Sequence, residues 1–422
     1  MSAKPGHSPE DERDVSMFKE FLRINTMHPN PDLAACVKWL EKESAELGMR
    51  VKVVEFHEGL PVVITTKVGR DPSLPSIVLN CHMDVVPVVA DKWDKLPKGE
   101  TPFTAWEDPD GNIYARGAQD MKCVGAQYLC ALRRLGGKDA SFLRTVHTLW
   151  VPDEEIGGPR GMQPFVRSEH FRDLNIGMAL DEGLAHDENA FVVHYGERTP
   201  LWVQFDAVGL PGHGAKLLSD TVGERLARVV KRMTDRRDQS VAKVNADPNM
   251  KSGDVTSVNW TVSVMGMTND GGKTYAHNVI PAEGRLVFDC RVSHTDYEEF
   301  VADVAAIGKE YNLRVTWPHG DPSGAARITP INSPWYKTIE ASLSKWDTKV
   351  QPAIFPAATD SRYLRHVGVP AFGFSPMRNL VSTLHEHNEF LPRSTYIEGI
   401  AVYQDLIPKL ANLPADAFAH KL

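Results

Sequence analysis

Three short apolar runs in this chain each end in a cluster of acids, one of which also carries a histidine. That repeated junction limits the fold more than any other feature. Ser76-Ile-Val-Leu-Asn80 runs into Cys81-His82-Met83-Asp84, Thr145–Val151 into Pro152-Asp153-Glu154-Glu155, and Ile176–Leu180 into Asp181-Glu182. Short apolar runs alternating with amphipathic ones predict buried strands of a mostly parallel sheet with helices on both faces, an α/β fold. Ligands of such sheets sit outside the carboxyl ends of the strands. The three runs therefore deliver their polar clusters to one edge.

The remaining periodicity extends this picture. Asp32–Leu47 reads as an amphipathic helix through Leu33, Cys36, Val37, Leu40 and Leu47, and Gln119–Leu135 as another. Val51–Phe56 and Val62–Val68 read as strands. The order changes after Tyr195: strand Leu201–Ala207, helix Ser219–Arg236, strands Val255–Val264 and Arg285–Arg291, helix Asp296–Tyr311, strand Leu313–Trp317. That β-α-β-β-α-β order predicts a ferredoxin-like α+β domain inserted in the first. Helix Pro334–Trp346, strand Pro370–Phe374 and helix Tyr396–Leu410 return to the α/β style. The expected division is 1–197, then the insert 198–320, then 321–422.

Composition removes several function classes. With 422 residues the chain exceeds one ordinary core. A net charge of −8 argues against a nucleic-acid surface, which needs a clustered positive field. No apolar run approaches the ~18 residues of a membrane-spanning helix, and the polar, acidic Met1–Asp14 stretch resembles neither a secretory signal nor a transit peptide. The five cysteines, Cys36, Cys81, Cys123, Cys130 and Cys290, are odd in number and form no Cys-x-x-Cys pair. Reduced thiols and a cytoplasmic location are the expectation. The ending His420-Lys421-Leu422 matches a peroxisomal address only loosely, lacking its small first residue.

The spacing within the clusters suggests chemistry. His82 and Asp84 are two apart, so on extended backbone they face the same way, and the carboxylate can hold the imidazole nitrogen that does not bind metal. Glu154 and Glu155 face opposite sides, so one can ligate while the other serves as general base. Asp120, in Arg116-Gly-Ala-Gln-Asp120-Met-Lys122, and His385, in Leu384-His385-Glu-His-Asn-Glu389, complete a set with Glu182. His82, Asp120, Glu155, Glu182 and His385 suffice for two zinc ions ~3.5–4 Å apart, sharing a hydroxide and polarising a carbonyl. Taken singly, each has an ordinary reading: a chance His-x-Asp, a solvated Glu pair, an N-capping aspartate, surface histidines.

The ordered motifs Asn80-Cys-His-Met-Asp84-Val-Val-Pro87, Ala115–Lys122, Val151-Pro-Asp-Glu-Glu155-Ile-Gly-Gly158, Ala179-Leu-Asp-Glu182-Gly183, Gly209-Leu-Pro-Gly-His213, Asn278-Val-Ile-Pro281, Pro356-Ala-Ala-Thr-Asp-Ser-Arg362 and Leu384–Glu389 span nearly all of the chain. Together they resemble the co-catalytic zinc aminoacylase/carboxypeptidase G/dipeptidase family, and within it the aminoacylases. The resemblance implies zinc ligands at His82, Asp120 (bridging), Glu155, Glu182 and His385, with Glu154 as general acid/base and Asp84 as the supporting carboxylate. It also implies a cis peptide at Asp120–Met121. His213 would reach the partner subunit's site in a homodimer built on the inserted domain and help bind the tetrahedral oxyanion. Here Gly214-Ala215 follows His213 where aminoacylases place Ala-Ser or Ser, and the Gly266–Ala276 loop is longer and richer in glycine.

The implied reaction is hydrolysis of N-acyl-L-amino acids, with the substrate carboxylate held by Arg362, with Asn278 beside it, and with Asp360 and Thr359 as further substrate-binding residues. An arginine fork matches a carboxylate bidentately. The competing readings are a dipeptidase or carboxypeptidase of the same chemistry and a binding protein built on a dead hydrolase. The Met-Asp-Val-Val-Pro and Ala-Ala-Thr-Asp-Ser-Arg runs favour the acylase over the first, and the complete ligand set with Glu154 argues against the second.

Overall fold

Each apolar run folds as a strand whose length decides where its polar cluster falls. In the computed structural model, which describes residues 7–322, 324 and 327–418, the strands are Ser76–His82, Val146–Val151 and Ile176–Asp181. The His420-Lys421-Leu422 tail lies outside the described residues. The three strands pair in parallel, with Leu79 between Thr148 and Leu180. Ala371–Gly373 joins them, also parallel, beside Ile176–Asp181. Parallel pairing brings the carboxyl ends of all four to one edge.

Antiparallel strands close the flanks. The hairpin Arg50–His57 and Leu60–Lys67 lies outside Val146–Val151. Ala190–Glu197 runs antiparallel to Ala371–Gly373, and Lys349–Phe355 completes an eight-stranded mixed sheet. Because side chains alternate along a strand, the sheet has two apolar faces. Ile77, Leu79, Cys81, Trp150 and Leu180 join one core with Phe18, Phe21, Trp39, Leu129 and Tyr403 from four helices. Val78, Leu149, Val151 and Ala179 face a second core with Phe165, Phe171 and Leu364.

Periodicity did not reveal the helix Pro9–Arg23. Ser8 and Asp11 form its capping box, and it buries Asp11 and Asp14 together with Val15, Phe18 and Phe21. The two acids pair with Arg134, and Asp14 also with Arg133. A buried face that includes carboxylates breaks the apolar pattern that would announce a helix. Ala190–Glu197 and Lys349–Phe355 were not anticipated either.

The chain forms two compact units. The first takes the residues up to Tyr195, Thr329–Ala353 and those from Thr359 onward; the second takes Gly196–Ile328 with Ile354–Ala358. In the second, four antiparallel strands lie in the order Ser257–Met265, Glu283–Val292, Thr199–Val208, Arg314–His319. Helices Val222–Ala246 and Tyr297–Glu310 contribute Leu226, Val229, Phe300 and Val304 to a core with Val203, Phe205 and Phe288. The first helix runs ten residues past the expected Arg236, since neither glycine nor proline intervenes before Pro248. The edge strand Ser257–Met265 leaves Trp260, Val262 and Val264 exposed. Among the described residues no helix is long and apolar enough to cross a membrane.

The helix Lys122–Arg134 lies close against the strand ends, with every residue from Lys122 to Leu132 buried. Gly125 permits the approach: a Cβ there would fall 2.5 Å from Cys81 Sγ and 2.6 Å from the Trp150 ring. Gly→Ala within a helix normally gains about 1 kcal/mol. Here the overlap should reverse the sign, since overpacking a core typically costs about 1–3 kcal/mol. Gly125→Ala should therefore lower the urea midpoint; an unchanged or raised midpoint would mean the strand ends yield freely.

Candidate metal centre

His82 is the last residue of its strand and Asp181 the last of the neighbouring one, so His82 and Glu182 leave the sheet at adjacent positions. Glu154 and Glu155 follow Val151 in a single 3-10 turn, Glu154–Ile156, closed by Gly157 and Gly158. Both glycines have positive φ, +93° and +66°, which glycine adopts without steric penalty. Asp120 ends the loop before the Lys122 helix and is joined to Met121 by a cis peptide, while Met121, not Asp120, occupies the helix cap. His385 comes from the loop after the last parallel strand, also at positive φ.

These six side chains converge. Asp120 Oδ1 lies 3.0 Å from His82 Nε2, and its Oδ2 3.1 Å from His385 Nε2. Glu182 Oε2 is 3.7 Å from His82 Nε2, and Glu155 Oε2 3.1 Å from His385 Nε2. Each Asp120 oxygen thus faces its own His–Glu pair. Ligand atoms of His82, Glu154 and Glu182, and those of His82, Asp120 and Glu155, lie within 4.8 Å of one another.

Asp84 supports this group from beneath. Its fully buried carboxylate accepts the Glu154 N–H at 3.1 Å and the Glu155 N–H at 3.0 Å. Its backbone carbonyl lies 2.9 Å from His82 Nδ1, which suits an Nδ1–H donor and leaves the Nε2 lone pair for a cation.

The electrostatics say what the site lacks. Burial, then Glu182, push the Glu154 carboxyl well up; burial, then Asp120, do the same to Glu182 and carry Glu155 to about 7. Burial works against a charged His82, yet Glu182 and the bonds to Asp120 and Asp84 hold it well above its ordinary value. Hydrogen bonds to Asp120 and Glu155 lift His385 to about 10. Four carboxylates around two imidazoles are short of positive charge, which a divalent cation supplies. The donor set, imidazole nitrogen and carboxylate oxygen, is one that zinc accepts.

The other sequence-derived candidates stand outside this ligand cluster. Thr359 and Asp360 are buried, and neither Asp360 carboxylate oxygen has a hydrogen-bond partner among the described residues. Arg362 is part-buried and donates to the carbonyls of Thr359 and Gly157, the latter at 2.8 Å alongside the Tyr363 hydroxyl at 2.6 Å. Its described bonds therefore brace the turn that carries Glu154. His213 and Asn278 are exposed and adjacent in the second unit: His213 pairs with Val279, and the Gly214 N–H donates to Asn278 O at 2.7 Å.

Sequence reasoning gave no role to Glu389, although it quoted the motif containing it. Buried, its carboxylate accepts the N–H groups of Gly117, Gln119 and Asp120 at 3.0, 2.7 and 3.2 Å, and pairs with Arg116 at 2.8 Å. Nothing local in Leu384–Glu389 signals a partner some 270 residues away.

The chain is similar to known proteins along nearly all of its length. The model of peptidase family M20/M25/M40 matches residues 78–409. Aminoacylase-1A of Rattus norvegicus is 41% identical over 411 residues, covering 96% of this chain and 98% of that protein. Aminoacylase-1 of Dictyostelium discoideum is 39% identical, covering 96% of this chain and 100% of that one. In fold, the chain is similar to an M20 family metallo-carboxypeptidase from Sulfolobus solfataricus. The TM-score is 0.69 at 18% identity, covering 94% of this chain and 99% of the other.

Glu389→Gln tests the cradle. An amide presents a donor to a nest of donors, and breaking a buried charged pair usually costs about 3–5 kcal/mol. Urea unfolding should show a loss of that order; a loss under ~1 kcal/mol would make the cradle dispensable.

Proposed function

The chain belongs to peptidase family M20/M25/M40 and is a metal-dependent hydrolase of amide bonds, and we propose that it removes the acyl group from N-acyl-L-amino acids. The observation that carries this is the run of aminoacylase-1 relatives at 39–41% identity along 96% of the chain. In this reading His82, Asp120 and Glu182 would hold one zinc ion, and His385, Asp120 and Glu155 would hold the other. Zinc bound there would activate a water molecule and polarise the acyl carbonyl.

The chain's own groups do the rest. Glu154 takes the proton of the attacking water and returns it to the departing nitrogen. Asp84 holds the Glu154 and Glu155 backbone, so the base and its neighbour move as one piece. Arg362 receives the α-carboxylate, for which a guanidinium fork is well shaped, and Asn278, Thr359 and Asp360 are further substrate-binding residues. His213 serves the partner subunit's centre and helps bind the oxyanion. The homodimer forms through the inserted unit, whose exposed Trp260, Val262 and Val264 offer an apolar edge. Five free, buried cysteines suit a cytoplasmic protein.

Two experiments test the reading. Glu154→Gln should keep close to two zinc ions per subunit while kcat falls by ~10² or more, the usual effect of a lost general base. Glu155→Gln should lose metal, and equal zinc loss in both variants would defeat the assignment. Against substrates, N-acetyl-L-methionine should be hydrolysed ~10²-fold better in kcat/KM than its methyl ester and better than matched dipeptides with a free amino group. Dipeptides cleaved as well as the acyl-amino acid would point to a peptidase, and an Arg362→Ala enzyme with an unchanged acid-to-ester ratio would rule out the clamp.

A further inference from the structure

The Asp84 carboxylate is held from a side that the mechanism does not use. His28 Nε2 lies 2.8 Å from Asp84 Oδ2, the oxygen that also accepts the Glu155 N–H. Asp84 Oδ1 takes the Glu154 N–H and lies 3.5 Å from His82 Nδ1. The carboxylate therefore stands between two imidazoles, one at the metal centre and one behind it.

The backbone puts His28 there firmly. Its N–H donates to Val85 O at 3.3 Å, the Val85 N–H returns a bond to Thr26 O at 3.1 Å, and Met27 bridges Val85 in parallel. His28 is itself buried. The hydrogen bond to Asp84 raises its pKa against the pull of burial, with Glu155 and Asp153 adding to the rise. A buried carboxylate keeps one orientation only when its oxygens have fixed donors. Remove His28, and Asp84 loses the donor that opposes His82.

We propose that His28 is a positioning residue that locks the Asp84 carboxylate, and through it fixes His82 and the Glu154–Glu155 turn for metal retention. The inference rests on the zinc reading of those ligands. Partners bonded directly to a metal ligand typically change affinity by ~10–100-fold, and His28, which acts one bond further out through Asp84, falls at the low end of that range.

The test uses purified zinc-loaded protein: wild type, His28→Leu and His28→Gln. Zinc release to a chromogenic chelator is followed, together with kcat, KM and the melting temperature of the metal-free form. His28→Leu should release zinc ~10-fold faster or more, with KM for N-acetyl-L-methionine little changed. A glutamine amide can place an N–H near the position of Nε2, so His28→Gln should stay close to wild type. In an Asp84→Asn background His28→Leu should add little, because the effect passes through Asp84. Should His28→Leu not fold, His28→Asn, whose amide stops short of Asp84, takes its place. Release from His28→Leu at the wild-type rate overturns the inference alone. So does a glutamine variant as leaky as leucine, or an undiminished effect beside Asp84→Asn. A wild-type protein that retains no divalent metal overturns the zinc reading, and this inference with it.

Discussion

One buried charge orders the centre. The Asp84 carboxylate is out of reach of water, and a bare carboxylate there would be driven to its neutral form. It stays charged, below the ordinary carboxylate range, because His28, His82 and two backbone N–H groups outweigh burial. The dependence is mutual. Those donors need the charge as much as the charge needs them, so the strand end, the Glu154 turn and the Thr26–His28 segment have one mutually satisfied arrangement. Core packing brings these segments near one another; the carboxylate sets their register.

A second acid does comparable work from the opposite side. Glu389 gathers three amides of the 117–120 loop and Arg116, which itself lies over the Trp93 ring at 5.5 Å. Asp120 can then offer one oxygen to each imidazole. Two acids outside the ligand cluster thus fix the acids and histidines within it. A hydrogen bond to an ionised group is short and directional, whereas an apolar contact tolerates sliding.

Much of this was legible in the residues and some was not, for physical reasons. The parallel strands and their polar ends were readable because burial on both faces demands unbroken apolar runs, and a run that stops abruptly marks the sheet edge. His82, Glu154, Glu155 and Glu182 stood at those stops, Asp120 at the start of a helix and His385 in a cluster after the last strand, and the structure brings the six together. Pro9–Arg23 was hidden because its inner face carries Asp11 and Asp14, neutralised by arginines more than a hundred residues later. His28 and Glu389 act through hydrogen bonds spanning 56 and about 270 residues, and no local period encodes such a bond. The bonds Arg362 makes to Gly157 and Thr359 were equally invisible, since residue type tells what a guanidinium can hold and not what it does hold.

The discontinuous build of the first unit has a consequence for the chain as it is made. Asp120 and His385 are 265 residues apart, and the intervening stretch includes the whole 196–328 segment of the second unit. At a synthesis rate of about 5–20 residues per second, roughly 15–50 s separate the emergence of the two from the ribosome. Once Glu182 has emerged, the nascent chain carries His82, Asp120, Glu154, Glu155 and Glu182, but neither His385 nor the Glu389 carboxylate that holds the amides of the 117–120 loop. Assembly of the whole cluster therefore waits until synthesis has passed Glu389, and the acids made first stay close together without their second histidine until then.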